Sequence, residues 1–137
     1  FEHKAHTMVE GGEPLTVDSM RKTYRALLDA YFGSGVKLEE ISDLEGFRIP
    51  HFYRAFYVYK YATGLSAAIA LSKQVLQGGE KERDRYLAFL GSGGSKYPIE
   101  SLTLAGVDMS SPEPIQEAMT LFRSLIDELE KGLSKTD

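Results

Sequence analysis

No cysteine and no tryptophan occur in the 137 residues. Without thiols the chain can form neither disulfides nor thiolate metal sites, a composition that fits a reducing compartment and an expected cytoplasmic location. There is no excess of basic residues. The net charge is −4, which offers no basic stripe for nucleic acid. No run of about 18 apolar residues is present, so no membrane-spanning helix is expected. Even the weakly polar stretch 62–71 is interrupted by Thr63, Gly64 and Ser66. The first ten residues carry Glu2, His3, Lys4, His6 and Glu10, so they are not expected to form a signal peptide. The chain opens on Phe1 rather than Met, and "FEHKAHTMVE" reads as the middle of an amphipathic helix. A fragment of a longer protein is therefore expected.

What is present is helical patterning almost throughout, with an ordinary apolar share of 42% and charged share of 26%. A first helix is expected over residues 1–10, stopped by Gly11 and Gly12. Thr16 suits the N-cap of a second, in which Met20, Tyr24, Leu27, Leu28 and Tyr31 recur at helical spacing. Residues 36–50 read as an ordered loop with a helical turn at 37–42, closed by Pro50. A long third helix is expected over 51–77 and a fourth over 80–90. A short helix opens at Pro98 and runs to Leu104. A last one begins at Pro112 or Pro114 and ends near Leu133. Its stripe of Ile115, Met119, Phe122, Leu125, Ile126 and Leu129 predicts a core face. With no internal repeat, the reading is one all-α unit spanning 1–137.

The segment "RIPHFYRAFYVYKYATG", residues 48–64, concentrates chemistry. Between His51 and Tyr61 lie six aromatic rings, including four of the eight tyrosines: Tyr53, Tyr57, Tyr59 and Tyr61. A core needs apolar bulk but not so many hydroxyls, each of which needs a partner when buried. Strand alternation would place the odd-numbered rings on one face, but the alanine-rich continuation to Leu76 favours a helix. In that helix Tyr59 stands about 12 Å beyond His51 and about 80° round. Phe52, Phe56, Tyr59 and Thr63 make one face; Tyr53, Tyr57, Lys60 and Gly64 make another. The small residues Gly64, Ala67, Ala68 and Ala70 predict close approach of a second helix. Imidazole and phenol both donate hydrogen bonds to a developing oxyanion, so His51 and Tyr59 suit acyl-transfer chemistry.

Taken together, "FEHKAH", "LTVDSMRKTYRALLDAYFG", "RIPHFYRAFYVYKYATGLSAAIALSKQVL" and "FLGSGGSKYPIESLTLAGVDM" resemble the C-terminal part of oligoendopeptidase F. This is a family of zinc metallopeptidases related to thimet oligopeptidase. The resemblance implies the helical C-terminal portion of a two-lobed enzyme whose deep channel admits oligopeptide substrates. It also implies that zinc is bound by a His-Glu-x-x-His helix and a further glutamate. A downstream histidine and tyrosines then hold substrate and stabilise the tetrahedral intermediate. Those roles fall on His51 and Tyr59 as catalytic residues, with Tyr57 and Tyr53 as substrate contacts.

No His-Glu-x-x-His occurs here, the three histidines being His3, His6 and His51. The implied partner is thus a missing N-terminal part of the same enzyme that carries the zinc, with no metal ligand expected in this piece. Alone, the piece is expected to be inactive and to self-associate through its aromatic face. The competing reading is a freestanding helical module that binds a peptide or protein without catalysis.

Other features carry weaker signals. His3 and His6 have the i, i+3 spacing of a metal pair but lack an evident third ligand. "GSGGS", residues 91–95, lacks the following Lys-Ser/Thr of a phosphate loop and reads as a turn. Arg83 and Arg85, near Glu80 and Glu82, read as surface charge.

Overall fold

In a computed structural model, which describes residues 1–134, the chain is helical with no strand among the described residues. It divides into two compact units, Phe1–Tyr59 and Lys60–Asp137.

The first unit opens with α1 (Glu2–Glu10) and α2 (Val17–Phe32). The start of α2 is set by local chemistry. Thr16 Oγ1 accepts the Ser19 N–H at 3.1 Å, and Ser19 Oγ accepts the Thr16 N–H at 2.9 Å, so two end donors are satisfied reciprocally. A 3-10 turn (Glu40–Leu44) leads into the one-turn helix α3 (Glu45–Arg48), later in the chain than the turn expected at 37–42. A second 3-10 turn (Pro50–Tyr53) follows.

The unit is organised around three rings. Phe1 meets Tyr24 edge-on at 5.2 Å and Phe52 at 5.4 Å, while Tyr24 and Phe52 lie 6.5 Å apart. Such edge-to-face pairs add to the area they bury. Burial raises the Tyr24 phenol above its ordinary pKa. Gly46 of α3 lies against this cluster, where a Cβ would stand 2.8 Å from Tyr24 Cδ2. Buried Asp43 is held by Arg21 Nε at 3.0 Å, and this hydrogen bond raises the guanidinium pKa. Within the expected stripe of α2, Met20, Tyr24, Leu27 and Leu28 are half-buried, whereas Tyr31 is exposed.

The long helix does not begin at His51. It is α4 (Tyr59–Gln77), and residues 54–58 are irregular. Phe56 has φ +54°, a left-handed value that interrupts any helix. The two aromatic faces read on a continuous helix therefore do not exist. Nor does the helical spacing between His51 and Tyr59.

The second unit holds the rest of α4, followed by α5 (Glu80–Gly91), α6 (Pro98–Leu104) and α7 (Glu113–Leu133). Its core joins Ala67, Ala70 and Leu71 of α4 to Ala105 and Val107, with Tyr86, Phe89, Leu102 and Met109 packed around them. Small residues on α4 do admit a close neighbour, but only Ala67 and Ala70 serve, since Gly64 and Ala68 are exposed. Gly106 turns the chain at φ +94° and its carbonyl accepts from Gln74 Nε2 at 2.9 Å. Residues 91–95 are a turn, and Arg83 pairs on the surface with Asp84 at 2.8 Å.

The stripe expected to make α7 a core helix is exposed along its length, with Phe122 at 60%. The residues α7 buries are Pro114 and Ala118, on a different side. Among the described residues nothing covers the stripe.

Candidate active site

Pro50, with its fixed φ, opens the 3-10 turn that carries His51, Phe52 and Tyr53. Phe52 points into the ring cluster with Phe1 and Tyr24 and so anchors the turn. His51 is left exposed, and its ring stacks on that of Tyr57 at 5.5 Å and 27°. Two short backbone bonds tighten the intervening chain, Arg54 N–H to the His51 carbonyl and Tyr57 N–H to the Arg54 carbonyl, both at 3.1 Å. Imidazole and phenol are thus brought together by a folded-back loop rather than by helical register.

Tyr53 is 75% exposed, and its hydroxyl donates to the Phe47 carbonyl at 2.9 Å. That proton is committed to α3, although the oxygen can still accept. Tyr59 opens α4 and is 57% exposed, with Tyr61 exposed two residues on. A cavity of about 490 Å³ lies in the first unit between α1 and the turn, lined by Phe1, Glu2, His6, Phe52 and Tyr53 among others.

Between the stack and Tyr59 the chain passes through Phe56, whose left-handed backbone costs on the order of 1–3 kcal/mol and persists only where surroundings impose it. Two α1 side chains contact it. Glu2, only 8% exposed, accepts the Phe56 N–H on Oε1 at 2.9 Å. The His6 ring lies 4.4 Å from that of Phe56. Nothing local marks a contact across 54 positions. His6 Nδ1 lies 2.8 Å from the Glu2 carbonyl oxygen, which can only accept, so Nδ1 carries the proton. Among the described residues no group of three or more His, Asp or Glu side chains is placed to hold a metal ion.

Residues 1–121, which include all of this geometry, match the family model described as Peptidase family M3. The chain belongs to peptidase family M3. It is 50% identical over 135 residues to oligopeptidase PepF of Bacillus subtilis (strain 168), a match covering 98% of this chain and 20% of that protein. It is 40% identical over 131 residues to an oligoendopeptidase F homolog of Borreliella burgdorferi, covering 96% and 22%. The crystal structure of oligoendopeptidase-F from Enterococcus faecium superposes with a TM-score of 0.86 at 42% identity, covering 95% of this chain and 25% of that one. The chain thus spans about a fifth of the length of the curated relatives it matches. The all-α architecture is that of a helical portion of an M3 peptidase, and all four candidate side chains fall within the matched span.

Proposed function

We propose that this chain is the C-terminal portion of a zinc-dependent metalloendopeptidase that hydrolyses short oligopeptides in the cytoplasm. Family membership and relatives named as oligoendopeptidases support the reading. The observation that carries it is the His51–Tyr57 stack, built by a turn and a strained loop that lead directly into Tyr59.

The described residues do not fit a zinc site, so the metal and its ligands are assigned to the rest of the longer polypeptide. The part played by this chain is hydrogen-bond donation and substrate contact. Tyr59 and His51 donate to the oxyanion that forms when the scissile carbonyl becomes tetrahedral. Groups of this kind accelerate acyl transfer because they point, before reaction, at charge that develops only in the transition state. Tyr57 stacks on the imidazole and limits its rotation while offering its ring edge to the peptide. Tyr53 contributes an accepting oxygen for a substrate N–H, its own proton being held by Phe47. Separated from the ligand-bearing part, the 137 residues cleave nothing.

The test is an assay of the longer polypeptide on a quenched fluorescent peptide with and without a chelator. Cleavage abolished by the chelator and restored by zinc is expected. No cleavage, or cleavage indifferent to the chelator, contradicts the reading.

A further inference from the structure

Glu2 and Phe56 are joined in a way the proposed chemistry does not by itself require. Glu2 and His6 are four residues apart on α1 and so share one face. From that face they make both contacts to Phe56: the carboxylate takes its N–H at 2.9 Å, and the imidazole lies under its ring at 4.4 Å. The imidazole is itself fixed, because its Nδ1–H is bonded to the Glu2 carbonyl. Phe56 is the one non-glycine residue with positive φ among the described residues. A bulky side chain leaves that conformation unless it is held. It immediately precedes Tyr57, stacked on His51, and stands three residues before Tyr59. A change of φ at residue 56 swings residues 57–59 relative to the His51 turn, which Phe52 anchors separately in the ring cluster.

We propose that Glu2 is a positioning residue: with His6 it clamps the strained Phe56 backbone and thereby sets where Tyr57 and Tyr59 stand relative to His51. Glu2 does not touch the substrate and acts only through the tyrosines. The inference rests on the peptidase reading for its catalytic consequence, but the clamp is a property of this chain alone. Loss of the clamp displaces the donors, and misplacement by about 1 Å is enough for roughly 100-fold in rate.

The test uses the longer polypeptide with Glu2→Met, which keeps the bulk of the side chain but removes its accepting oxygens, and Glu2→Gln, which keeps one. For Glu2→Met, amide exchange over residues 54–58 is expected to quicken at least about tenfold. Exchange in α2 stays unchanged and shows that the fold survives. Turnover falls about 10- to 100-fold with KM within about threefold. Glu2→Gln restores both within about threefold. Combined with Tyr59→Phe, Glu2→Met adds less than its loss as a single change, because the Tyr59 hydroxyl carries part of its effect. Unchanged exchange at 54–58, failure of Gln to restore, or losses that multiply with Tyr59→Phe would overturn the proposal. If the unsubstituted polypeptide cleaves no peptide, the peptidase reading falls and the exchange data alone decide the clamp. If Glu2→Met does not fold, His6→Ala takes its place. It removes the ring beneath Phe56, and the same pattern at smaller size is expected. Unchanged exchange and turnover in that variant count against the clamp.

Discussion

At Gly46 the backbone of α3 runs so close to Tyr24 that a single added methyl has no room. The ring it meets cannot step aside, because Phe1 and Phe52 hold it from other directions. Gly46→Ala is therefore expected to lower the unfolding free energy by about 1–3 kcal/mol, the usual cost of overpacking, as read by urea denaturation. An unchanged midpoint would mean that α3 can shift outward freely. Single residues also show what the sequence discloses and what it hides. The crowding of tyrosines around His51 is visible as composition, and their hydroxyls imply polar contacts. The left-handed Phe56 is not visible, because its cause is a glutamate 54 positions away. The hydrogen bond that the Tyr53 hydroxyl donates to the Phe47 carbonyl is hidden for the same reason: a loop decides it, and loops carry no periodicity.

Helix ends follow the same division. The start of α2 and the opening of α6 are legible because Thr16 and Pro98 act on their own neighbours. The start of α4 is not, because aromatic residues with weak helix preference precede an alanine-rich run, and tertiary contact chooses the boundary. Two carboxylates in the second unit that accept local hydrogen bonds give a pH test. The Gly79 N–H, 3.0 Å from Glu82 Oε2, is the main cause holding that carboxyl below its ordinary 4.5. Ser110 donates to Asp108 Oδ1 from its hydroxyl at 2.6 Å and from its N–H at 2.9 Å, holding Asp108 below its ordinary 3.8. Lowered folded-state values mean that both groups stabilise above their ordinary pKa and lose that stabilisation as pH falls through the lowered ones. Urea midpoints followed from pH about 5 downward should therefore fall below 4.5, and the part below 3.8 should shrink in Asp108→Asn. An Asp108→Asn profile parallel to the unsubstituted one would remove Asp108 from the account.

For the molecule as a whole, exposed surface is the informative quantity. The α7 stripe has six apolar residues, each between 40% and 63% exposed. Its periodicity is plain in the sequence, and its amphipathic character is real. What sequence cannot show is that none of the described residues covers it. The isolated 137 residues should accordingly self-associate as concentration rises, with Phe122→Glu and Leu129→Glu together returning them toward monomer in sedimentation velocity. Equal association with and without the charges would place the contact elsewhere. This chain is proposed to supply the donor that meets the oxyanion, and only the longer polypeptide can report on it. The direct measurement is kcat and KM for Tyr59→Phe in that polypeptide, which keeps the ring and deletes one hydroxyl. A loss in kcat of roughly 100- to 1,000-fold is expected, with little change in KM. Turnover within about threefold of the unsubstituted enzyme would contradict it, leaving Tyr59 as packing at the head of α4.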